Sequence, residues 1–169
     1  MDAIPEPHFN VWIAALETGV LSLHDLIQWT DEEIMRLPTP PRWLLELSLA
    51  TDIDGVRGAW AAVPEGSRSG PLDNADPRQL HLGLLYLEHE AGHLSLHELL
   101  SKAGYEADPP SAGIPEPEAF YYLLNELDGG GPTRPSNRPL EDRVRELLAP
   151  LADKARAACP YIRAVRKAE

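Results

Sequence analysis

The sequence predicts an all-α protein of two related helical units, residues 5–51 and 77–128, packed as one helical domain with a C-terminal helix. Three observations lead to this prediction. Apolar residues recur at intervals of three and four along most of the chain, which is the pattern of one helix face. Two similar segments of nine residues, identical at six positions, occur at 19–27 and 92–100. No stretch alternates apolar and polar residues as a half-buried strand would.

The repeated phrase predicts the end of one helix followed at once by the start of another. Its glycine suits the left-handed residue that closes a helix, and its serine with an acid three residues later forms a capping box. The three positions are Gly19, Ser22 and Asp25 in the first copy, and Gly92, Ser95 and Glu98 in the second. Because the same offset of 73 also pairs His8 with His81, we interpret the phrase as part of an internal repeat.

Proline, glycine and apolar periodicity divide the chain into segments. Helices are predicted over 5–18, 22–37, 42–50, 56–63, 77–92, 95–104 and 116–127, and from 140 onward, with a kink at Pro150 and a break at Cys159–Pro160. The resulting divisions are a first repeat unit over 1–63, a linker over 64–76, a second repeat unit over 77–128, a flexible loop over 129–138 and a C-terminal helical segment over 139–169.

Composition restricts the class of partner. The net charge is −12, yet residues 139–169 hold seven Lys or Arg against five Asp or Glu, so the rest of the chain is strongly acidic. Such a surface argues against nucleic acid, which needs clustered cations, and fits a basic protein partner. No apolar run is long enough for a membrane span, and the single cysteine, Cys159, fits a reducing compartment. We therefore expect a cytoplasmic protein with no membrane partner.

One short motif suggests chemistry. The run His89-Glu90-Ala91-Gly92-His93 fits H-E-x-x-H and resembles the zinc-site motif of zincin metallopeptidases. The resemblance implies a zinc-dependent hydrolase in which His89 and His93 bind zinc and Glu90 acts as general base on a zinc-bound water. A third ligand would also be needed, and the candidates are His97, Glu116, Glu118 and Glu126.

The repeat favours a structural interpretation of the same run. Gly92 is predicted to end the helix, so His93 would fall in the bridge and the one-turn spacing of the two histidines would be lost. Leu16 and Val20 stand at the equivalent positions of the first copy, so the local architecture does not depend on metal. A weak metal site formed by His89, His93 and His97 without catalysis is a further alternative.

Three side chains are candidates for binding a partner. His24 and His97 both occupy the second position of a capped helix, where a structural role is the simpler interpretation. Trp29 lies off the main apolar stripe of its helix, which predicts partial exposure.

The preferred hypothesis is a non-catalytic acidic helical module that binds a protein, with an inhibitor-like or immunity-like role toward a basic partner as one version. It requires no cofactor. The zinc hydrolase is the alternative, and a small-molecule-binding helical domain with a pocket between the repeats is a third option.

Overall fold

The computed structural model describes residues 4–65, 75–108, 112–130 and 138–166, and these residues form helices and no strand. The all-α prediction is confirmed. The helices are α1 (Phe9–Thr18), α2 (Leu23–Arg36), α3 (Arg42–Ser48), α4 (Ile53–Ala61), α5 (Pro77–Glu90), α6 (Leu96–Glu106), α7 (Pro117–Leu127) and α8 (Leu140–Val165). No helix within the described ranges is long and apolar enough to cross a membrane. Most of the predicted linker and of the predicted flexible loop lies outside the described residues.

The chain divides into two compact units. Unit 1 comprises residues 1–77 and 158–169, and therefore contains α1 to α4 and the end of α8. Unit 2 comprises residues 78–157, with α5, α6, α7 and the larger part of α8. Helix α8 thus supplies side chains to both cores.

Both predicted helix stops are present. Gly19 and Gly92 adopt left-handed φ values of 80° and 81°. Two residues after each glycine, a leucine amide donates back to the preceding helix, from Leu21 to the Ala15 carbonyl at 3.0 Å and from Leu94 to the Glu88 carbonyl at 3.3 Å. These bonds satisfy carbonyl groups that a helix end would leave unpaired.

The serine caps differ in one respect. At α6 the capping box is complete, because Ser95 Oγ accepts from the Glu98 amide at 3.2 Å and the Ser95 amide donates to Glu98 Oε2 at 2.9 Å. Hydrogen bonds from the Ser95 hydroxyl and amide hold the pKa of the Glu98 carboxyl below its ordinary value. At α2, Ser22 Oγ accepts from the Asp25 amide at 3.1 Å, while the Asp25 carboxylate accepts from the hydroxyl at 2.6 Å. Aspartate is one methylene shorter than glutamate, so the Asp25 carboxylate binds the Ser22 hydroxyl and does not form the reciprocal bond with the Ser22 amide.

Several helix boundaries differ from prediction, among them the start of α1, which lies at Phe9 rather than near residue 5. Two further differences are informative. Helix α4 begins at Ile53 rather than near residue 56, because Asp52 Oδ1 accepts from the Gly55 amide at 2.8 Å and caps it. The predicted break at Cys159–Pro160 is wrong, since α8 continues to Val165.

The prolines of α8 are tolerated because of where they lie. Pro150 and Pro160 are both exposed, so neither ring displaces a core side chain. A proline inside a helix costs about 3 kcal/mol through a lost amide donor and a crowded carbonyl. Apolar residues on either side of Pro160 offset that cost, because Ala155 is fully buried before it and Ile162 and Val165 are buried after it.

Unit 1 is built around aromatic rings. The Phe9 ring lies 5.2 Å from that of Trp12, 5.8 Å from Trp43 and 5.5 Å from Trp60, measured between centroids. These separations and tilted orientations are typical of favourable aromatic pairs. The end of α8 joins the same unit, where the Tyr161 ring lies 4.0 Å from His8.

Unit 2 has a mainly aliphatic core drawn from all four of its helices. Its buried members include Leu82 and Leu85 of α5, Leu99 and Leu100 of α6, Phe120 and Leu123 of α7, and Val144, Leu148 and Leu151 of α8. Helices α5 and α8 lie in close contact at Gly83. A Cβ atom there would lie 2.7 Å from the Leu151 carbonyl carbon and 2.8 Å from Ala155 Cβ, so only glycine fits without a shift of the backbone.

We expect Gly83→Ala to lower the free energy of unfolding by more than about 2 kcal/mol, because the added methyl group collides with the backbone of α8. Gly58→Ala is the matched control. Gly58 lies in α4, and a Cβ there would meet nothing within 4 Å, so this change should stabilise the chain by about 0.5–1 kcal/mol. Urea unfolding followed by circular dichroism measures both. Equal effects of the two substitutions would contradict the close approach.

Candidate functional site

Helix α7 has two different faces. Proline at its first position suits a helix start, since the missing amide would have no partner there. Phe120 and Leu123 face the core of unit 2 and are 0% and 8% exposed. Ala119, Tyr122 and Glu126 follow each other at intervals of three and four residues and form a second stripe beside the core face. The Tyr122 side chain is half exposed.

This second stripe is one wall of a groove, and α8 forms the other. The groove has a volume of about 500 Å³ and is lined by Glu116, Glu118, Ala119, Tyr122, Leu123, Glu126, Arg143 and Leu147. We call it the α7–α8 groove. Its volume lies within the range of about 300–1,000 Å³ typical of ligand pockets.

One residue of the groove wall is small. Ala119 contributes only a methyl group where Tyr122 and Glu126, one and two turns further along α7, contribute long side chains. On α8, Leu147 lines the same groove and belongs to the partly buried apolar residues that pack on the core. A larger residue at position 119 would therefore fill the groove without removing a charge.

The carboxylates of the groove fall into two groups. Glu126 pairs with Arg143 at 2.5 Å, and their side chains are only 25% and 19% exposed. Arg143 Nε is buried and donates to no atom of the described residues. Glu116 and Glu118, at the start of α7, are both exposed, and neither forms an ion pair with any residue in the described ranges. The groove is therefore negative at one end and neutral at the other.

A second cavity in unit 2, of about 260 Å³, lies at the end of α5 and contains two residues of the H-E-x-x-H run. It is lined by Tyr86, His89, Glu90, Leu96, Glu141, Val144 and Arg145. Glu90, the candidate general base, forms an ion pair with Arg156 at 2.7 Å. That contact raises the pKa of the Arg156 guanidinium.

The two histidines of the run have separate partners. Helix α5 ends at Glu90 and Gly92 is left-handed, so His89 and His93 do not lie one turn apart on a single helix. His89 Nδ1–H donates to the Leu94 carbonyl at 2.8 Å, which ties the end of α5 to the bridge that follows. His93 is two-thirds exposed, and its Nδ1–H donates to Glu88 Oε2 at 2.8 Å.

The remaining candidates from the sequence lie apart from the groove lining. His24 is exposed on α2. His97 is also exposed, with Nε2 3.6 Å from the Asp128 carboxylate. Trp29 is partly buried, and its ring lies 5.2 Å from that of Trp12, so it belongs to the aromatic cluster of unit 1.

Sequence reasoning did not identify the groove as a site. It placed Glu116, Glu118 and Glu126 only among the possible third zinc ligands. The sequence carries only a weak signal for it, an aromatic residue, Tyr122, that lies off the apolar stripe of Phe120 and Leu123.

Comparison with known protein families, with curated proteins and with solved structures finds no match for this chain.

The contacts of the H-E-x-x-H run lead to a prediction about zinc. We expect His93→Ala to leave the zinc content and zinc affinity of untagged protein unchanged within about twofold, because His89 and His93 are held by different partners and lack the geometry of the motif. Equilibrium dialysis followed by metal analysis measures this, with His24→Ala as a control histidine in unit 1. One zinc per chain that is lost in His93→Ala and kept in His24→Ala would contradict the prediction and favour the hydrolase hypothesis.

Proposed function

We propose that this protein is a non-catalytic binding module that recognises a basic partner protein through the α7–α8 groove. The observation that carries the proposal is a groove of about 500 Å³ that combines an apolar floor with three carboxylates. An inhibitor-like or immunity-like role toward a basic protein is the specific version that we favour. We place the interaction in the cytoplasm, because a chain with a single cysteine cannot form an internal disulfide and therefore suits a reducing compartment.

The apolar part of the groove provides a basis for affinity. Tyr122 is half exposed, and tyrosine is enriched among the interface residues that contribute most to binding. Leu123 and Leu147 lie beside it in the same groove. A partner side chain placed here would remove apolar surface from water on both sides of the contact.

Charge provides a basis for specificity. The whole chain carries a net charge of −12, and its exposed carboxylates include Glu116 and Glu118 of the groove. Complementary potentials raise the rate of association and disfavour partners of the same sign. Glu118 lies in the first turn of α7, where a negative charge interacts favourably with the helix dipole. Binding by variants that remove this charge therefore has to be measured on proteins shown to be folded.

A test needs a probe of defined chemistry. We choose a 14-residue amphipathic peptide of leucine and lysine with a terminal fluorophore, and its leucine–glutamate counterpart, with binding measured by fluorescence anisotropy near physiological salt. We expect the lysine peptide to bind and the glutamate peptide not to bind. Tyr122→Ala should weaken binding by about 2 kcal/mol, the scale of an important interface residue, and Ala119→Trp should block it by filling the groove.

Tyr105→Ala is the matched control, since Tyr105 is 80% exposed on α6 and does not line the groove. It should bind the lysine peptide as the unmodified chain does. Equal losses in Tyr122→Ala and Tyr105→Ala, or binding that survives Ala119→Trp, would show that the peptide adheres to the acidic surface in general and would refute the groove as the site.

We also propose that the α1–α2 and α5–α6 hairpins are copies of one ancestral unit. Their matched glycine stops, leucine-to-helix hydrogen bonds and serine caps support this. The proposal leads to a test at the one cap that differs. Asp25→Glu should give the first copy the reciprocal bond of the second and raise the free energy of unfolding by about 0.5–1 kcal/mol, while Glu98→Asp should lower it. Urea unfolding measures both, and a destabilising Asp25→Glu would count against equivalence of the two hairpins.

A further inference from the structure

The two ends of the α7–α8 groove differ in charge, and this difference restricts what can bind. Glu116 lies at the start of α7, and Glu126 lies ten residues later. At a rise of 1.5 Å per residue, the two positions are about 15 Å apart along the helix. The first end also holds Glu118 and has no cation partner within the described residues, whereas Glu126 at the second end is already neutralised by Arg143.

The all-helical surroundings of the groove favour a helical occupant. An extended peptide gains its affinity from backbone hydrogen bonds to the edge of a sheet, and the described residues form no strand that could offer one. A helix satisfies its own backbone and presents apolar side chains at intervals of three and four residues. About ten helical residues, close to three turns, would cover the length between Glu116 and Glu126.

Arg143 determines how many cations of the occupant find a free carboxylate in the groove. Its guanidinium already lies in the groove and donates to Glu126 through Nη2. A second cluster of basic side chains at this end would meet a like charge and would compete with Arg143 for the same carboxylate. At the opposite end, Glu116 and Glu118 can accept a lysine or arginine without displacing any group of the described chain.

We propose that the occupant is an amphipathic helix of a basic partner protein with its cations confined to one end, which lies against Glu116 and Glu118. Arg143 is the residue that leaves a second cluster of basic side chains without a free carboxylate, so that cations at both ends give no gain in affinity. This inference rests on the proposed binding function of the groove, and it adds the form of the ligand and the residue that selects it.

Two helical peptides of equal length and identical apolar face provide the test. One carries two lysines at a single end, and the other carries two lysines at each end. The measured quantity is the affinity of the two-ended peptide divided by that of the one-ended peptide. This ratio does not depend on the direction in which a peptide lies in the groove. In the unmodified chain the second pair of lysines should give no gain in affinity beyond about twofold.

Substitutions at the neutral end should move this ratio in opposite directions. Arg143→Gln releases Glu126 and should raise the relative affinity of the two-ended peptide by about five- to tenfold. Glu126→Gln leaves Arg143 without its partner and should lower that relative affinity below the value of the unmodified chain. Because the two variants act with opposite sign, either one tests the inference if the other does not fold, which circular dichroism establishes.

Two further variants complete the design. Glu118→Gln should weaken both peptides by a similar factor and leave their ratio unchanged. Arg145→Gln is the matched control for Arg143, since Arg145 lies on the same helix, pairs with Asp142 at 2.8 Å and does not line the groove. It should leave the ratio unchanged.

The outcomes separate this inference from the proposed function. If neither peptide binds the unmodified chain, or if binding ignores Ala119→Trp, the groove is not the binding site and both proposals fail. If binding depends on the groove but the ratio is the same in Arg143→Gln, Arg145→Gln and the unmodified chain, the binding function stands and the selective role of Arg143 is refuted. A ratio that rises in Arg143→Gln and falls in Glu126→Gln supports both.

Discussion

Unit 2 depends on the close approach of α5 to α8 at Gly83. With no side chain at this position, the α5 backbone lies directly against the Leu151 carbonyl and Ala155. That contact fixes the position of α8 within the unit, and Leu147 and Arg143 lie about one and two turns before Leu151 on the same helix. The wall of the α7–α8 groove is therefore placed by a packing contact away from the groove itself. Gly83, which has no side chain, thus influences the position of Arg143 and Leu147 in the groove.

The local features of the fold could be predicted from the sequence, because each depends on residues close together in the chain. A glycine stop needs one residue that tolerates a positive φ, and a serine cap needs a partner three residues later. Gly92 and Ser95 with Glu98 therefore predict the end of α5 and the start of α6 from the sequence. The continuity of α8 was not predictable in this way. Pro160 is a local signal for a break, and it is overruled by burial of Ile162 and Val165 in unit 1, which only the three-dimensional structure reveals.

The candidate site shows the same division between local and distant causes. Each groove residue is unremarkable in its own segment, since Ala119 and Tyr122 suit any helix and Arg143 suits the first turns of α8. They line a common groove only when α7 and α8 pack together. The H-E-x-x-H run is the opposite case. Its spacing is a strong local pattern, but the glycine within the run ends the helix that the pattern would need.

The ion pair of Arg143 and Glu126 connects the stability of unit 2 with its proposed selectivity. A partly buried pair gains from the lower dielectric around it, but its members also lose hydration, so such pairs contribute little net stability and are costly to break from one side. Removal of Arg143 should therefore carry a cost in stability while it opens a second site for a cation. The same residue would then matter more for the carboxylate that it occupies in the groove than for what it adds to the stability of the fold.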